Sequence, residues 1–322
     1  CDILDARGVV LRSIERTRAD LPRGAAEATH ALVAEAARAA RLPESSVCDL
    51  VISVPGSYDA AHDQVRYADR IPDWTVPGIA AAIGGAFRDD VTVTLDNDVN
   101  LALVAERGDE PRTGVTSLLW LGAGVGLATD MAGVLYRGVS GGAGEVGYIP
   151  VPGTDARGGH PDFQDLVGGA AVLRLAREHR VSGRTAVSAV ERAVETMVTE
   201  AASAAFLDEL AARIALGLSV IVAVLDPGVV VLGGTVGRAG GPALASRTSK
   251  ALRTSSRLRC AVVGSAVAGD PALVGARAVT VEQLTERLLD AGNRSTSSTR
   301  SDLVDAPNPI PLPRTAKEVH AR

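Results

Sequence analysis

The longest regular pattern in the chain is the apolar series Phe206, Leu210, Ile214, Leu218, Ile221 and Leu225. Steps of three and four place all six on one side of a helix, so residues 205–225 read as a long core helix, stopped by Asp226-Pro227-Gly228. A different pattern marks CDLVISV at 48–54 and VVVL at 229–232. These are short, mostly apolar runs rich in β-branched residues, and Pro55-Gly56 and Gly233-Gly234 close them. They read as buried strands. Residues 91–95 alternate and lead into Asp96-Asn97-Asp98, after which 99–107 has helical composition. Asn97 and Asp98 thus stand at a strand-to-helix junction, where a polar side chain can cap the helix or face a ligand.

The same reasoning predicts further helices over 25–41, 78–87 (weaker), 166–180, 186–205 and 272–284. It predicts strands over 1–4, 9–13, 117–121, 127–130, 134–136 and 262–268, with a loop at 153–161. A polar segment at 108–114 is the candidate hinge. From Leu289 onward the chain is rich in Ser, Thr and Pro, and 286–322 is expected to be a disordered tail. Strands alternating with helices, with glycine turns at strand ends, predict an α/β fold with mixed sheets. One lobe is expected over 1–110, with helix 272–285 packing back on it, and a second over 111–271. The first strand leads straight into a hairpin from Cys1, a non-initiator residue, so this lobe is expected to lack a segment at its front.

Composition narrows the picture. The chain has 322 residues, 46% hydrophobic and 22% charged, with a net charge of −5. That fits a globular protein. No stripe of basic residues suggests nucleic-acid contact by these residues. Cys1, Cys48 and Cys260 are too few and too scattered for a disulfide framework, and Cys48 and Cys260 are expected to be buried small residues. No run approaches the roughly 20 apolar residues of a membrane span, and no targeting signal is evident, so a cytoplasmic location is expected.

The candidate chemistry lies in an ordered set: Asn97-Asp98, the turn GAGVG at 122–126, and GVSGGAGEVG at 138–147. Carboxylates accept from two hydroxyls at once, and backbone N–H groups of glycine turns suit phosphates. Together with Val54-Pro55-Gly56, residues 71–74 and DPGVVVLGG at 226–234, these segments resemble the ROK family (repressor, open reading frame, kinase) of sugar kinases and sugar-responsive regulators. The resemblance spans about residues 1–285. It implies an actin-like, hexokinase-type (ribonuclease H-like) two-lobed fold with sugar bound between the lobes.

By that resemblance Asn97, Asp98 and Glu145 bind sugar hydroxyls, and in a kinase Asp98 is the catalytic base. Gly122, Gly124 and Gly126 match the second phosphate turn, and Gly233 and Gly234 the glycine pair near adenosine. Several positions depart from the family pattern. The first phosphate loop would precede Cys1. Ala123 replaces a hydroxyl residue. Tyr148 stands where many members have a zinc-ligating His, and no Cys follows before Cys260, so no zinc site is expected. His160 alone makes no tetrahedral site and reads as a loop surface residue. Gln164 aligns with the second sugar-binding Glu. Tyr148 and Gln164 are therefore expected to contact sugar as neutral groups.

The expectation is a sugar-sensing, effector-binding domain of a ROK-type regulator of carbohydrate metabolism. It would be dimeric, need no cofactor, not touch the membrane, and reach DNA only through an N-terminal helix-turn-helix outside this chain. An ATP- and Mg²⁺-dependent sugar kinase is the alternative.

Overall fold

A computed structural model describes residues 1–68, 71–88, 91–108, 114–151 and 161–301, with side chains described as far as residue 290. Residues Cys1–Val281 form one compact unit and Glu282–Arg322 a second.

The first unit opens with an antiparallel hairpin, β1 (Asp2–Leu4) and β2 (Val10–Ser13), followed by α1 (Ala25–Ala39). Strand β3 (Asp49–Val54) then runs into a small hairpin that the sequence pattern did not suggest, β4 (Ser57–Asp59) and β5 (Gln64–Arg66). Helix α2 (Ile79–Gly84) and strand β6 (Thr92–Asn97) follow, and β6 pairs with β3 in parallel. Val54, Val65, Ile79, Ile83 and Leu95 form the buried core between these elements.

Helix α3 (Asp98–Arg107) starts directly at the end of β6. Strands β7 (Val115–Leu121), β8 (Val125–Met131) and β9 (Val134–Leu135) form an antiparallel meander. Beyond it come α4 (Phe163–Val167), α5 (Gly169–Glu178), α6 (Ala186–Thr196) and α7 (Ala201–Leu225). Strand β10 (Val229–Gly233) joins β7 in parallel and leads into α8 (Gly234–Ser255), which is bent where Gly241 leaves helical geometry before Pro242. Strand β11 (Ala261–Gly264) completes a five-stranded sheet in the order β11-β10-β7-β8-β9. Finally, α9 covers Pro271–Ser301.

The period-two pattern of β7 divides the second half of the fold. Leu119 and Leu121 face a core shared with Phe163, Phe206, Leu210, Ile214 and Leu218, while Leu118 faces Val99, Ala102 and Leu103 of α3. Leu101 of the same helix packs on Ala272 and Ala276 of α9. A helix enclosed on both flanks buries all round, and Leu101, Ala102 and Leu103 are fully inaccessible.

Some expectations are corrected. The helix expected over 166–180 is two helices meeting at Gly168, and the one expected over 186–205 is interrupted after Thr196, so the long core helix begins at Ala201. Helix α8 was not anticipated, because Gly237, Gly240, Gly241 and Pro242 mask its pattern. Helix α9 runs beyond the expected 272–284 to Ser301. No proline interrupts it before Pro307, and Ser and Thr lower helix propensity only mildly. Cys48 is exposed and Cys260 only half-buried. His160 and residues 302–322 lie outside the described residues.

Candidate functional site

Asn97 closes β6 and caps α3. Its Oδ1 accepts from the backbone N–H of Val99 (2.8 Å) and of Asn100 (3.3 Å), and its Nδ2 donates to the Gly56 carbonyl (2.9 Å). The residue therefore satisfies helix-end donors and fastens the Pro55-Gly56 turn to the junction. Much of its hydrogen-bonding capacity is used inside the protein.

Asp98 is the first residue of α3, and burial pushes its pKa up to about 6. Backbone N–H groups of Val99 and of Asp98 itself work in the opposite direction, and the charges of Asp270 and Glu145 add to the rise. These causes place Glu145 and Asp98 in one electrostatic neighbourhood, although their numbers differ by 47 (145 − 98). Asp270 caps α9, accepting from the N–H groups of Ala272 (3.0 Å) and Leu273 (3.2 Å).

Glu145 ends the glycine-rich loop after β9, and its Oε1 accepts from Ser57 Oγ at 2.6 Å. Ser57 is buried at the start of β4. The loop is fixed from both sides. Gly144, at φ 97°, has no room for a side chain: a Cβ there would collide with the Leu127 carbonyl of β8. Its own carbonyl accepts from Leu127 N–H at 2.8 Å. Only glycine satisfies both the left-handed backbone and the close approach.

At the other end of the loop, Arg137 forms an ion pair with the buried Asp96 (2.7 Å). Asp96 Oδ1 accepts from Asn97 N–H and from Asn100 Nδ2, both at 2.8 Å. Asp96 thus links the glycine-rich loop to the strand that carries Asn97 and leads into Asp98. Sequence reading singled out neither Ser57 nor the Asp96–Arg137 pair. Their partners are remote in sequence, and no local pattern signals them.

The other predicted positions divide. Tyr148 lies one 3-10 turn beyond Glu145, exposed, with its ring against Tyr67. Gln164, expected at the sugar, directs its amide to the turn 122–126. Its Oε1 accepts from Val125 N–H (2.8 Å) and its Nε2 donates to the Ala123 carbonyl (2.9 Å). Gly122 N–H is bound within the turn to the Gly124 carbonyl (3.0 Å). Two backbone donors of this turn are thereby already engaged. Gly233 and Gly234 pack on Leu118 and Leu121 of β7, and Thr235 Oγ1 lies beside Gly122, so the two glycine segments meet at the same end of the sheet. Among the described residues no three His, Cys, Asp or Glu side chains gather at metal-ligand spacing.

Comparison with known proteins decides the lineage. Residues 1–283 match the ROK family. The chain belongs to the ROK family. An uncharacterized protein of Clostridium perfringens, CPE0188, is 27% identical over 201 residues, covering 60% of this chain and 63% of that protein. The chain thus spans less than two thirds of the curated relative it matches. Two solved structures show the shared hexokinase-type fold. One is a ROK glucokinase from Streptomyces griseus in complex with glucose and AMPPNP, at TM-score 0.64 and 22% identity, over 86% of this chain and 94% of that one. The other is a ROK transcriptional regulator, a homolog of the E. coli MLC protein, at TM-score 0.67 and 16% identity, over 88% and 74%. Kinase and regulator share this architecture. Among the described residues no helix is long and apolar enough to cross a membrane.

Proposed function

We propose that this ROK chain is the sugar-sensing, effector-binding part of a transcriptional regulator. It takes a monosaccharide or sugar derivative at Asp98 and Glu145, with Asn97 and Ser57 supporting them. The observation that carries this reading is the state of the turn 122–126. Gln164 holds Val125 N–H and the Ala123 carbonyl, and Ala123 offers no hydroxyl to a phosphate. Phosphoryl transfer depends almost wholly on positioning and electrostatics. A turn with two of its backbone donors engaged internally serves it poorly, whereas the acidic pair offers acceptors to hydroxyls. Sugar binding would act on a DNA-binding part outside these residues through unequal affinity for two arrangements of the protein.

One observation favours the alternative, a sugar kinase: the pKa of Asp98, pushed up to about 6 by burial, is that of a general base poised near neutral pH. Calorimetry with a panel of monosaccharides and sugar phosphates, beside an ATP-turnover assay with Mg²⁺, separates the two. The regulator reading expects sugar binding with no sugar-dependent ATP turnover. Turnover that requires sugar and disappears in Asp98→Asn establishes the kinase. Absence of any sugar binding defeats both.

A further inference from the structure

Two large aromatic side chains are exposed close in the chain to Glu145 and Ser57. Tyr67 is 55% exposed and Tyr148 60%. Their ring centroids are 5.8 Å apart and their planes are inclined at 45°. They meet at an angle rather than in a parallel stack. Tyr67 follows β5 at φ 58°, a left-handed conformation that bulky residues rarely adopt. Strained residues of this kind concentrate at ligand-holding sites. Its ring reaches over the glycine-rich loop, for a Cβ on Gly142 would lie 3.8 Å from Tyr67 Cε2.

The corner is continuous with the sugar-type groups. Ser57 opens the hairpin that ends just before Tyr67, and Glu145 precedes the single turn that ends at Tyr148. The two segments that supply the aromatic rings are thus the two joined by the Ser57–Glu145 hydrogen bond. Carboxylates and hydroxyls serve the rim of a pyranose, where its hydroxyls point. The C–H face of such a ring is apolar and slightly electropositive, and it suits the electron-rich face of tyrosine. A sugar ring gripped at Glu145 would leave a neighbouring ring at the aromatic corner.

We infer that Tyr67 and Tyr148 form a second subsite that stacks the C–H face of a second ring, so that the ligand class is a disaccharide or a glycoside with a ring-bearing substituent. The inference rests on the sugar-binding reading above and extends it. The corner supplies affinity and selects for ligand length, while the acidic pair fixes the first ring.

The test is calorimetry on the full chain, with glucose, mannose, xylose and N-acetylglucosamine set against maltose, cellobiose, sucrose and p-nitrophenyl β-glucoside. The readout is the ratio of affinities between a two-ring ligand and its own monosaccharide. Unmodified protein should favour at least one two-ring ligand by roughly three- to tenfold. Tyr67→Ala should bring that ratio close to one, and Tyr148→Phe, which keeps the ring, should preserve it, with circular dichroism confirming that both variants are folded. Equal affinity for one-ring and two-ring ligands overturns the subsite and leaves the sugar-binding reading standing. So does a ratio unchanged in Tyr67→Ala. Failure to bind any of the eight compounds removes the sugar-binding reading and the subsite with it.

Discussion

Asp98 is a carboxylate whose charge the folded protein opposes. Its pKa rises from 3.8 to about 6, first through burial and then through the charges of Asp270 and Glu145. Between those two values the folded state binds more protons than the unfolded one, so stability falls as pH rises through that interval. Above it the full penalty is present, roughly 3 kcal/mol for a rise of this size. Asp98→Asn should therefore stabilise the unliganded protein at pH 7.5 by up to about 3 kcal/mol, and the gain should shrink as pH approaches 4. Urea denaturation at several pH values measures it, and a pH-independent gain would place the cause elsewhere. The same variant should bind sugar at least tenfold more weakly, since a charge-assisted hydrogen bond is worth about 1.5–3 kcal/mol. Glu145 could be found in sequence because an acidic residue enclosed by turn-forming glycines is hard to explain as a solvated charge, and Asp98 because it stands at a strand-to-helix junction. Ser57 could not, because only the hairpin β4–β5 turns it toward Glu145.

Individual elements depend on contacts that local sequence does not encode. Helix α2 begins at Gly78, which has no side chain to cap it. Asp63, from the turn of the preceding hairpin, supplies the cap instead. Its carboxylate accepts from Ala80 N–H (2.8 Å) and Ala81 N–H (3.0 Å), and from Tyr58 Oη (2.9 Å). Burial works to raise the Asp63 pKa, but these donors outweigh it and hold the carboxyl below its ordinary value. Asp63→Ala should cost about 1–2 kcal/mol. Amide exchange at Ala80 and Ala81 should accelerate more than exchange in α1. Uniform acceleration across the chain would show that the cap has no local role. The periodic elements were legible for a related reason: the apolar stripe of α7 and the β-branched runs of β3 and β10 are each written in consecutive residues. Helix α8 was hidden because glycine and proline, ordinarily signs of a turn, here accommodate close packing, with Gly237 against Leu232 and Gly240 against Leu244.

At the scale of the molecule, α3 is the element through which the others meet. It carries Asp98 at its start, packs on the five-stranded sheet along one flank, and receives α9 along the other. Gly275 permits that second contact, because a Cβ there would collide with the Leu101 carbonyl. Glycine to alanine in an exposed helix stabilises by about 1 kcal/mol. Gly275→Ala should do the reverse, destabilising by about 1–3 kcal/mol through overpacking. A thermal melt decides the sign, and a raised Tm would mean that α9 does not dock there. The α/β plan with mixed sheets followed from the order of strands and helices, but the enclosure of α3 did not, since it depends on a helix more than 160 residues later (271 − 107). Gln164 has a consequence of another kind. A glutamate at 164 could still accept from Val125, but it would set a negative oxygen against the Ala123 carbonyl, where an amide now donates. Placing an acidic group at that position would therefore loosen the turn in the same step.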